Sequence, residues 1–315
     1  MKCLSFLAGV ALFWACSSER GPSRGLANGS FTAELGEQTV HYEVHGSGPV
    51  LMTVPNSWGL TLEGLRAMYR PLESHVTVVY FDPRGMGGSG PVREDADLGP
   101  DAVREDFDAL RKHLGLEKVN AIGWSNGASN LIALAAERPD AIEAAVFLHG
   151  SASFLPEDER RIVENYPDLI ESFRVFSKDM AESESSVEER NAGVKVFDTE
   201  VWFPYLFADR EAGRRKLPEV FRDARFSWAH AEYTNKRWAS LDLRDRLPLI
   251  RARSLVIAGR HDMLPPSRAQ EIADGIEGAE FVVFEESGHF APVEETEKFV
   301  RTVVDFLRRP TGETR

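Results

Sequence analysis

The chain has 315 residues and a mass of 35.2 kDa, enough for one large domain or two small ones. Its composition, 43% hydrophobic and 28% charged, is typical of a globular protein with a sizeable core. The formal net charge of -13 argues against nucleic-acid binding, because nothing would offset repulsion by the phosphates.

The first residues differ in composition from the rest of the chain. An apolar stretch from Leu4 to Ala15 follows a basic start, and Cys16 and a polar run come next. The stretch is shorter than the roughly 20 apolar residues that span a bilayer, so it is typical of a signal peptide, which we place at residues 1–18. Cys16 resembles the lipidated cysteine of bacterial lipoproteins. We therefore predict export, with the protein either lipid-anchored to the cell envelope or secreted; an uncleaved anchor is the third alternative.

The only two cysteines, Cys3 and Cys16, both lie in this leader. The remaining chain therefore has no internal disulfide and no cysteine-based metal site or nucleophile. We predict that the protein uses neither a metal nor a cofactor.

After a linker at residues 19–29, the chain alternates between strands and helices. Residues 31–35 and 38–44 alternate between polar and apolar side chains, which predicts a hairpin that turns at Gly36. Apolar runs then predict strands buried on both faces of a parallel sheet, at residues 49–54, 76–81, 119–124 and 144–149. Helices are predicted between them at residues 61–73, 100–114 and 126–137.

This alternation stops at about residue 151. Residues 151–247 have a helical pattern and many charged and aromatic side chains. Strands at 254–259 and 280–285 and helices at 267–276 and 293–308 then resume the alternation. We predict an α/β fold with a mostly parallel, doubly wound sheet formed by residues 30–150 and 248–315, and a helical cap at 151–247 inserted after the sixth strand.

The pattern G-x-S-x-G occurs twice, around Ser23 and around Ser125. Ser23 lies in the linker, with neither a strand before it nor a helix after it. Ser125 follows a predicted strand and precedes a predicted helix, where a tight turn exposes the hydroxyl and Gly123 and Gly127 let the two elements pack closely. The alternative role for Ser125 is an ordinary helix N-cap. The context predicts that Ser125 is a catalytic nucleophile.

A serine nucleophile needs a base, and the base needs a third group to orient it. Asp262 and His289 each follow one of the last two strands, at the carboxyl ends where open α/β sheets gather their ligands. The sequence therefore predicts a Ser125–Asp262–His289 triad. His261 is the rival to Asp262, and His149 is the nearest competitor among the histidines, with a hydrogen-bonding role expected for it.

These residues, in this order, resemble the α/β-hydrolase fold superfamily over roughly residues 31–309. The sequence Asp-Pro-Arg-Gly at 82–85 and the capped layout are similar to those of the proline iminopeptidase branch. The resemblance implies an oxyanion hole made by the backbone N–H of Asn126 and by one from the loop after the strand at 49–54. That second donor maps to Ser57, with Asn56 as the alternative.

Two further residues are expected to contact the substrate. Trp124 lies beside the nucleophile, and the resemblance implies that Glu232 in the cap holds a free amino group of the substrate. The prediction is a serine hydrolase that cleaves a small ester or amide bond through an acyl-enzyme, with proline iminopeptidase-like specificity as one form. The alternatives are a carboxylesterase or lactonase without aminopeptidase activity, and a non-catalytic binding protein of the same fold. The expected partner is a small molecule or short peptide.

Overall fold

The computed structural model describes residues 25–309. The predicted leader, with Cys16 and Ser23, lies outside the described residues, as do residues 310–315. No helix within residues 25–309 combines the length and the apolar composition that a membrane crossing requires.

The described chain forms one eight-stranded sheet. The strands are β1 (Gly29–Leu35), β2 (Gln38–Gly46), β3 (Val50–Val54), β4 (Thr77–Phe81), β5 (Val119–Trp124), β6 (Ile142–Leu148), β7 (Arg253–Gly259) and β8 (Glu280–Phe284). Their order across the sheet is β1-β2-β4-β3-β5-β6-β7-β8. The pairs β1–β2 and β2–β4 are antiparallel and all others are parallel, which confirms the predicted mostly parallel sheet.

Helices cover both faces of the sheet. They are α1 (Leu62–Tyr69), α2 (Pro100–His113), α3 (Asn126–Glu137), α4 (Pro156–Asn165), α5 (Pro167–Glu182), α6 (Val187–Val196), α7 (Arg210–Val220), α8 (Trp228–Trp238), α9 (Pro266–Gly275), α10 (Ala291–Glu294) and α11 (Thr296–Arg308). The helix predicted at 61–73 is shorter than expected. Pro71 has no N–H to continue the α-helical pattern, so the chain tightens into a 3₁₀ turn at Arg70–Ser74.

The inner strands β3 to β7 are buried on both faces because their side chains alternate between two apolar clusters. Leu51 and Ile122 point into the cluster that contains α1, α11 and part of the cap, whereas Met52 and Ala121 point into the one beneath α2, α3 and α9. Burial on both faces explains why these strands have nearly continuous apolar sequences rather than alternating ones.

The chain between β6 and β7 contains α4 to α8 and a π-helical turn at Phe197–Trp202. Phe203, which follows that turn, packs against Trp58, Trp124 and Phe290, with ring centroids 5.4–6.4 Å apart. The insertion therefore packs onto loops at the carboxyl ends of β3, β5 and β8, which confirms a helical cap after the sixth strand. Its boundaries at residues 151 and 247 stay predictions.

Candidate active site

Ser125 connects β5 to α3 in a strained backbone conformation. Its φ of 57° and ψ of −125° lie in a region that costs a non-glycine residue about 1–3 kcal/mol. The Ser125 N–H donates to the Leu148 carbonyl at 2.8 Å, which ties the turn to β6. Among the described non-glycine residues, Ser125 shares a positive φ only with His149, at the end of β6.

The two glycines around Ser125 are required by close backbone contacts. A Cβ on Gly127 would lie 2.5 Å from the carbonyl oxygen of Val54, and one on Gly123 would overlap the carbonyl of Gly127. Any larger residue would push α3 away from β3 and β5. The G-x-S-x-G spacing therefore has the packing role that the sequence predicted for it.

Asp262 and His289 come together on neighbouring loops. His289 Nδ1 lies 2.7 Å from Asp262 Oδ2, and the carboxylate is 6% exposed. Burial by itself raises the pKa of Asp262, but the nearby charge of His289, the polar contact with His149 and the His289 hydrogen bond outweigh it and hold that pKa well below its usual value. His261, the rival named from the sequence, has an exposed side chain.

The loop that carries His289 is fixed by contacts with the cap and with α10. The His289 N–H donates to the Leu206 carbonyl at 2.7 Å. Glu294 accepts hydrogen bonds from the backbone N–H groups of Gly288 and Phe290, each at 3.0 Å, and from that of Ala208 in the cap at 2.8 Å. Burial raises the pKa of Glu294, and these three hydrogen bonds partly oppose that rise.

Trp124 differs from its predicted role. Its side chain is 1% exposed, so it offers almost no surface to a substrate. Its indole N–H donates to the carbonyl oxygen of His289 at 2.8 Å, and the two rings lie 5.4 Å apart. Trp124 therefore links the serine turn to the histidine loop rather than forming a wall of the pocket.

The two predicted oxyanion-hole residues are adjacent but interact with each other. The backbone N–H and the hydroxyl of Ser57 both lie 2.7 Å from Asn126 Oδ1. The Ser57 N–H is therefore engaged in this arrangement, and it becomes available to a substrate only when the Asn126 amide turns away. The Asn126 N–H, at the first position of α3, has no acceptor within its own helix. Asn56, the alternative donor, is fully buried, and its side-chain amide makes no hydrogen bond to another described residue.

Glu232 is partly exposed and already has a partner, and its contact with a substrate amino group stays a prediction. It is on α8 with its side chain 36% exposed, and Lys236, one turn later, pairs with it at 2.9 Å. The sequence could place Glu232 on a cap helix. It could not show which face of that helix turns inward.

Two ionisable residues, His149 and Asp198, have environments that the sequence did not predict. His149 Nδ1 lies 3.3 Å from Asp262 Oδ2, so the residue expected only to make an ordinary hydrogen bond contacts the predicted triad acid. The sequence feature that could have assigned His149 to the site is its position directly after β6. Asp198 lies in the π-helical turn of the cap, and its only sequence signal was an acid within an aromatic and apolar run.

His149, Asp262 and His289 present donor atoms within 4.8 Å of one another, as metal ligands do. A metal ion here would have to replace the proton between His289 and Asp262. The 2.7 Å contact fits a hydrogen-bonded acid–histidine pair, which orients an imidazole to accept a proton from a hydroxyl.

Comparison with known proteins gives a family match over most of the chain. A sequence model for the alpha/beta hydrolase fold matches residues 55–296. A proline iminopeptidase from Saccharolobus solfataricus is 24% identical over 280 residues, covering 84% of this chain and 87% of the relative. A 2-hydroxy-6-oxo-6-phenylhexa-2,4-dienoate hydrolase from Comamonas testosteroni is 25% identical over 285 residues, covering 88% and 93% of the two chains.

Solved structures agree with this match at the level of the fold. An alpha/beta fold family hydrolase from Bacillus anthracis str. Sterne superposes with a TM-score of 0.73 at 21% identity, covering 89% of this chain and 99% of the other. An enol-lactonase from Burkholderia xenovorans LB400 gives a TM-score of 0.67 at 24% identity, with coverages of 88% and 100%. The matched residues, the sheet and the relatives together confirm the resemblance predicted from the sequence: this chain belongs to the α/β-hydrolase fold family and is a hydrolytic enzyme.

Proposed function

We propose that the protein is a serine hydrolase in which Ser125 attacks an ester or amide carbonyl and forms an acyl-enzyme. The observation that carries this proposal is the 2.7 Å contact between His289 and the buried Asp262. Ser125, held in a strained turn, directly follows Trp124, whose indole binds the His289 carbonyl. A serine hydroxyl is a weak nucleophile until an oriented base removes its proton, and these residues supply the base and its orienting group.

The proposed steps follow from this arrangement. His289 accepts the Ser125 proton as Ser125 Oγ bonds to the carbonyl carbon, and Asp262 stabilises the resulting imidazolium. The Asn126 N–H, at the positive end of α3, stabilises the oxyanion. The imidazolium then protonates the leaving alcohol or amine as its bond to carbon breaks. A water molecule, deprotonated by His289, releases the acid and regenerates Ser125.

Labelling with a fluorophosphonate probe tests the nucleophile. Ser125→Ala should abolish labelling and hydrolysis of short-chain p-nitrophenyl esters. Ser129→Ala is the matched control: it lies one turn along α3, and its hydroxyl donates to the Ser151 carbonyl at 2.8 Å, away from any proposed chemistry. Asp262→Asn should lower turnover by a factor of about a thousand or more. Labelling that survives Ser125→Ala would refute the proposal.

Our second proposal concerns the class of substrate. We propose that the substrate carries a free amino group, as the substrates of aminopeptidases do. The supporting observation concerns Asp198. The Asp198 carbonyl accepts a hydrogen bond from the N–H of Phe203, so Phe203 lies one π-helical turn after Asp198. Val194 lies one helical turn before Asp198. Val194 and Phe203 are both buried in the apolar cluster that contains Trp124, so Asp198 lies on the same inward side of the cap.

The Asp198 carboxyl has no compensating partner. It makes no hydrogen bond or ion pair with another described side chain, and burial raises its pKa from 3.8 to about 8. The side chain nevertheless keeps some accessible surface, so we infer that it borders an enclosed space rather than bulk solvent. A desolvated carboxylate favours a cation beside it, and a substrate ammonium group would supply one.

Asp198→Asn tests this proposal with Glu232→Gln as its control, because Glu232 is a partly exposed cap acid already paired with Lys236. Asp198→Asn should lower kcat/KM on aminoacyl anilides by roughly ten- to a hundredfold, the range of a hydrogen bond to a charged group. Uncharged esters should change less than about twofold, and Glu232→Gln should change neither substrate.

Equal losses on both substrates, or a selective loss in Glu232→Gln, would contradict a role for Asp198. Wild-type protein that hydrolyses esters and no anilide would favour the alternative of a carboxylesterase or lactonase. Absence of all turnover with intact folding would favour the non-catalytic binding protein.

We also propose, from the leader sequence, that the protein is exported and that Cys16 is lipidated. The support is the order of a basic residue, an apolar stretch from Leu4 to Ala15 and a cysteine. Secretion without lipid is the alternative.

A further inference from the structure

His149 occupies an unusual backbone position at the end of β6. Its φ is 51°, in the left-handed region that only a few per cent of non-glycine residues adopt. Its N–H donates to the Ile257 carbonyl at 2.8 Å, so β6 still pairs with β7 as the backbone turns. The side chain is fully buried. Such strain persists where the surrounding structure imposes it, and it is often found at functional sites.

The hydrogen-bonding groups around the ring indicate its tautomer. The Ala291 N–H points to His149 Nε2 at 3.4 Å, so Nε2 serves as an acceptor and the ring proton is on Nδ1. That Nδ1 lies 3.3 Å from Asp262 Oδ2 but is not aligned for a hydrogen bond in this arrangement. The ionisable groups that face His149 are Asp262 and His289, whose ring centroid is 5.3 Å away.

Asp262 Oδ2 therefore has two imidazole nitrogens near it, His289 Nδ1 in a hydrogen bond at 2.7 Å and His149 Nδ1 at 3.3 Å. Burial lowers the pKa of His149 more strongly than Asp262 raises it. Burial thus favours the neutral ring, which adds a donor without adding a charge.

Resting on the proposed triad, we propose that His149 is a positioning residue that donates Nδ1–H to Asp262 and thereby sets the basicity of His289. A second donor disperses the negative charge of the carboxylate. Without it, Asp262 would stabilise the His289 imidazolium more strongly. Activity requires neutral His289, and the acid limb of the pH profile would then move to higher pH.

Two substitutions separate this role from simple packing. His149→Phe keeps a ring and the cost of a positive φ, but it removes both ring nitrogens. His149→Asn removes the ring and keeps a side-chain N–H donor in a residue that tolerates the left-handed region. Rates on an uncharged p-nitrophenyl ester are measured from pH 4 to 9 and normalised to active sites by fluorophosphonate titration.

His149→Phe should move the acid limb of kcat/KM upward by about half a pH unit and lower kcat about five- to tenfold, with KM within about twofold. His149→Asn should recover part of both effects. A His149→Phe profile that superposes on the wild-type profile would overturn the proposal, even if its melting temperature falls, because a packing role alone does not move a pKa.

A measurement on the wild-type protein keeps the proposal testable if the variants do not fold. Imidazole ¹⁵N NMR should show that the neutral His149 ring carries its proton on Nδ1. Protonation on Nε2 would overturn the proposal. Asp262→Asn separates the two hypotheses: near-wild-type activity there would refute the triad itself, whereas an inactive Asp262→Asn with an unchanged His149→Phe would refute the role of His149 alone.

Discussion

The hydrogen bond from Trp124 to His289 gives a quantitative prediction. Trp124→Phe keeps an aromatic ring among its neighbours but removes the indole N–H that donates to the His289 carbonyl at 2.8 Å. A buried carbonyl left without a partner costs about 1–3 kcal/mol, and the space left by the smaller ring adds about 1 kcal/mol. The free energy of unfolding should therefore fall by about 2–4 kcal/mol. At roughly 2–4 °C per kcal/mol for a domain of about this size, Tm should fall by about 5–15 °C.

The kinetic consequence should be smaller than the loss of stability. In this variant His289 keeps its contacts with Asp262 and with the Leu206 carbonyl. We therefore expect its loop to shift but to stay in place. We expect kcat to fall about three- to tenfold and KM to change less than about twofold, because Trp124 offers almost no surface to a substrate. Urea denaturation and initial rates on a p-nitrophenyl ester measure the two effects.

Trp58→Phe is the matched control. Trp58 belongs to the same aromatic cluster, but it is half-buried and its indole N–H makes no hydrogen bond to another described residue. Its substitution should change stability by less than about 1 kcal/mol. The reasoning would be refuted if Trp124→Phe raised KM tenfold and left the urea midpoint unchanged, since Trp124 would then be a substrate contact.

Three further predictions follow from other features. Gly127→Ala should abolish probe labelling and destabilise the fold, because its Cβ would lie 2.5 Å from the Val54 carbonyl; wild-type melting and labelling would disprove the close approach. The raised pKa of Asp198 means that the protein loses stability as the pH rises from 3.8 towards 8, because the folded state resists losing that proton. Asp198→Asn should therefore melt like the wild type near pH 4 and several degrees higher at pH 8, whereas a constant difference would contradict burial of the charge. Cys16→Ser should release the exported protein from the detergent phase or block its processing, and an intact mass showing an unmodified N-terminus downstream of Cys16 would establish ordinary secretion.

The sheet was predictable because a strand buried on both faces has an apolar sequence. That pattern can be recognised without knowing which strands pair with it. The runs at 49–54 and 119–124 are apolar except for Thr53 and Asn120, and such a composition is typical of a strand covered on both sides. Ser125 could be assigned from local context for a similar reason. Its strand, its helix and its two glycines are adjacent in the chain.

Features that depend on distant segments were not predictable in this way. Trp124 could be placed beside the nucleophile, but only the loop 165 residues later reveals that its N–H binds His289. Glu232 and Asp198 are both acids in the cap, and their sequence neighbourhoods do not show which of them faces inward. Their environments form only when the cap packs onto the sheet.

The contacts between the cap and the His289 loop have a consequence for protein engineering. Leu206 and Ala208 belong to the cap, yet they bind the backbone at His289 and the carboxylate of Glu294. Exchanging whole caps between related enzymes is a natural way to transplant specificity. If the transplanted cap lacked an equivalent of residues 206–208, the exchange would change the pocket. It would also remove contacts that hold the loop of His289, the proposed base. Chimaeras should therefore be joined inside the insertion, so that this short segment stays with the sheet.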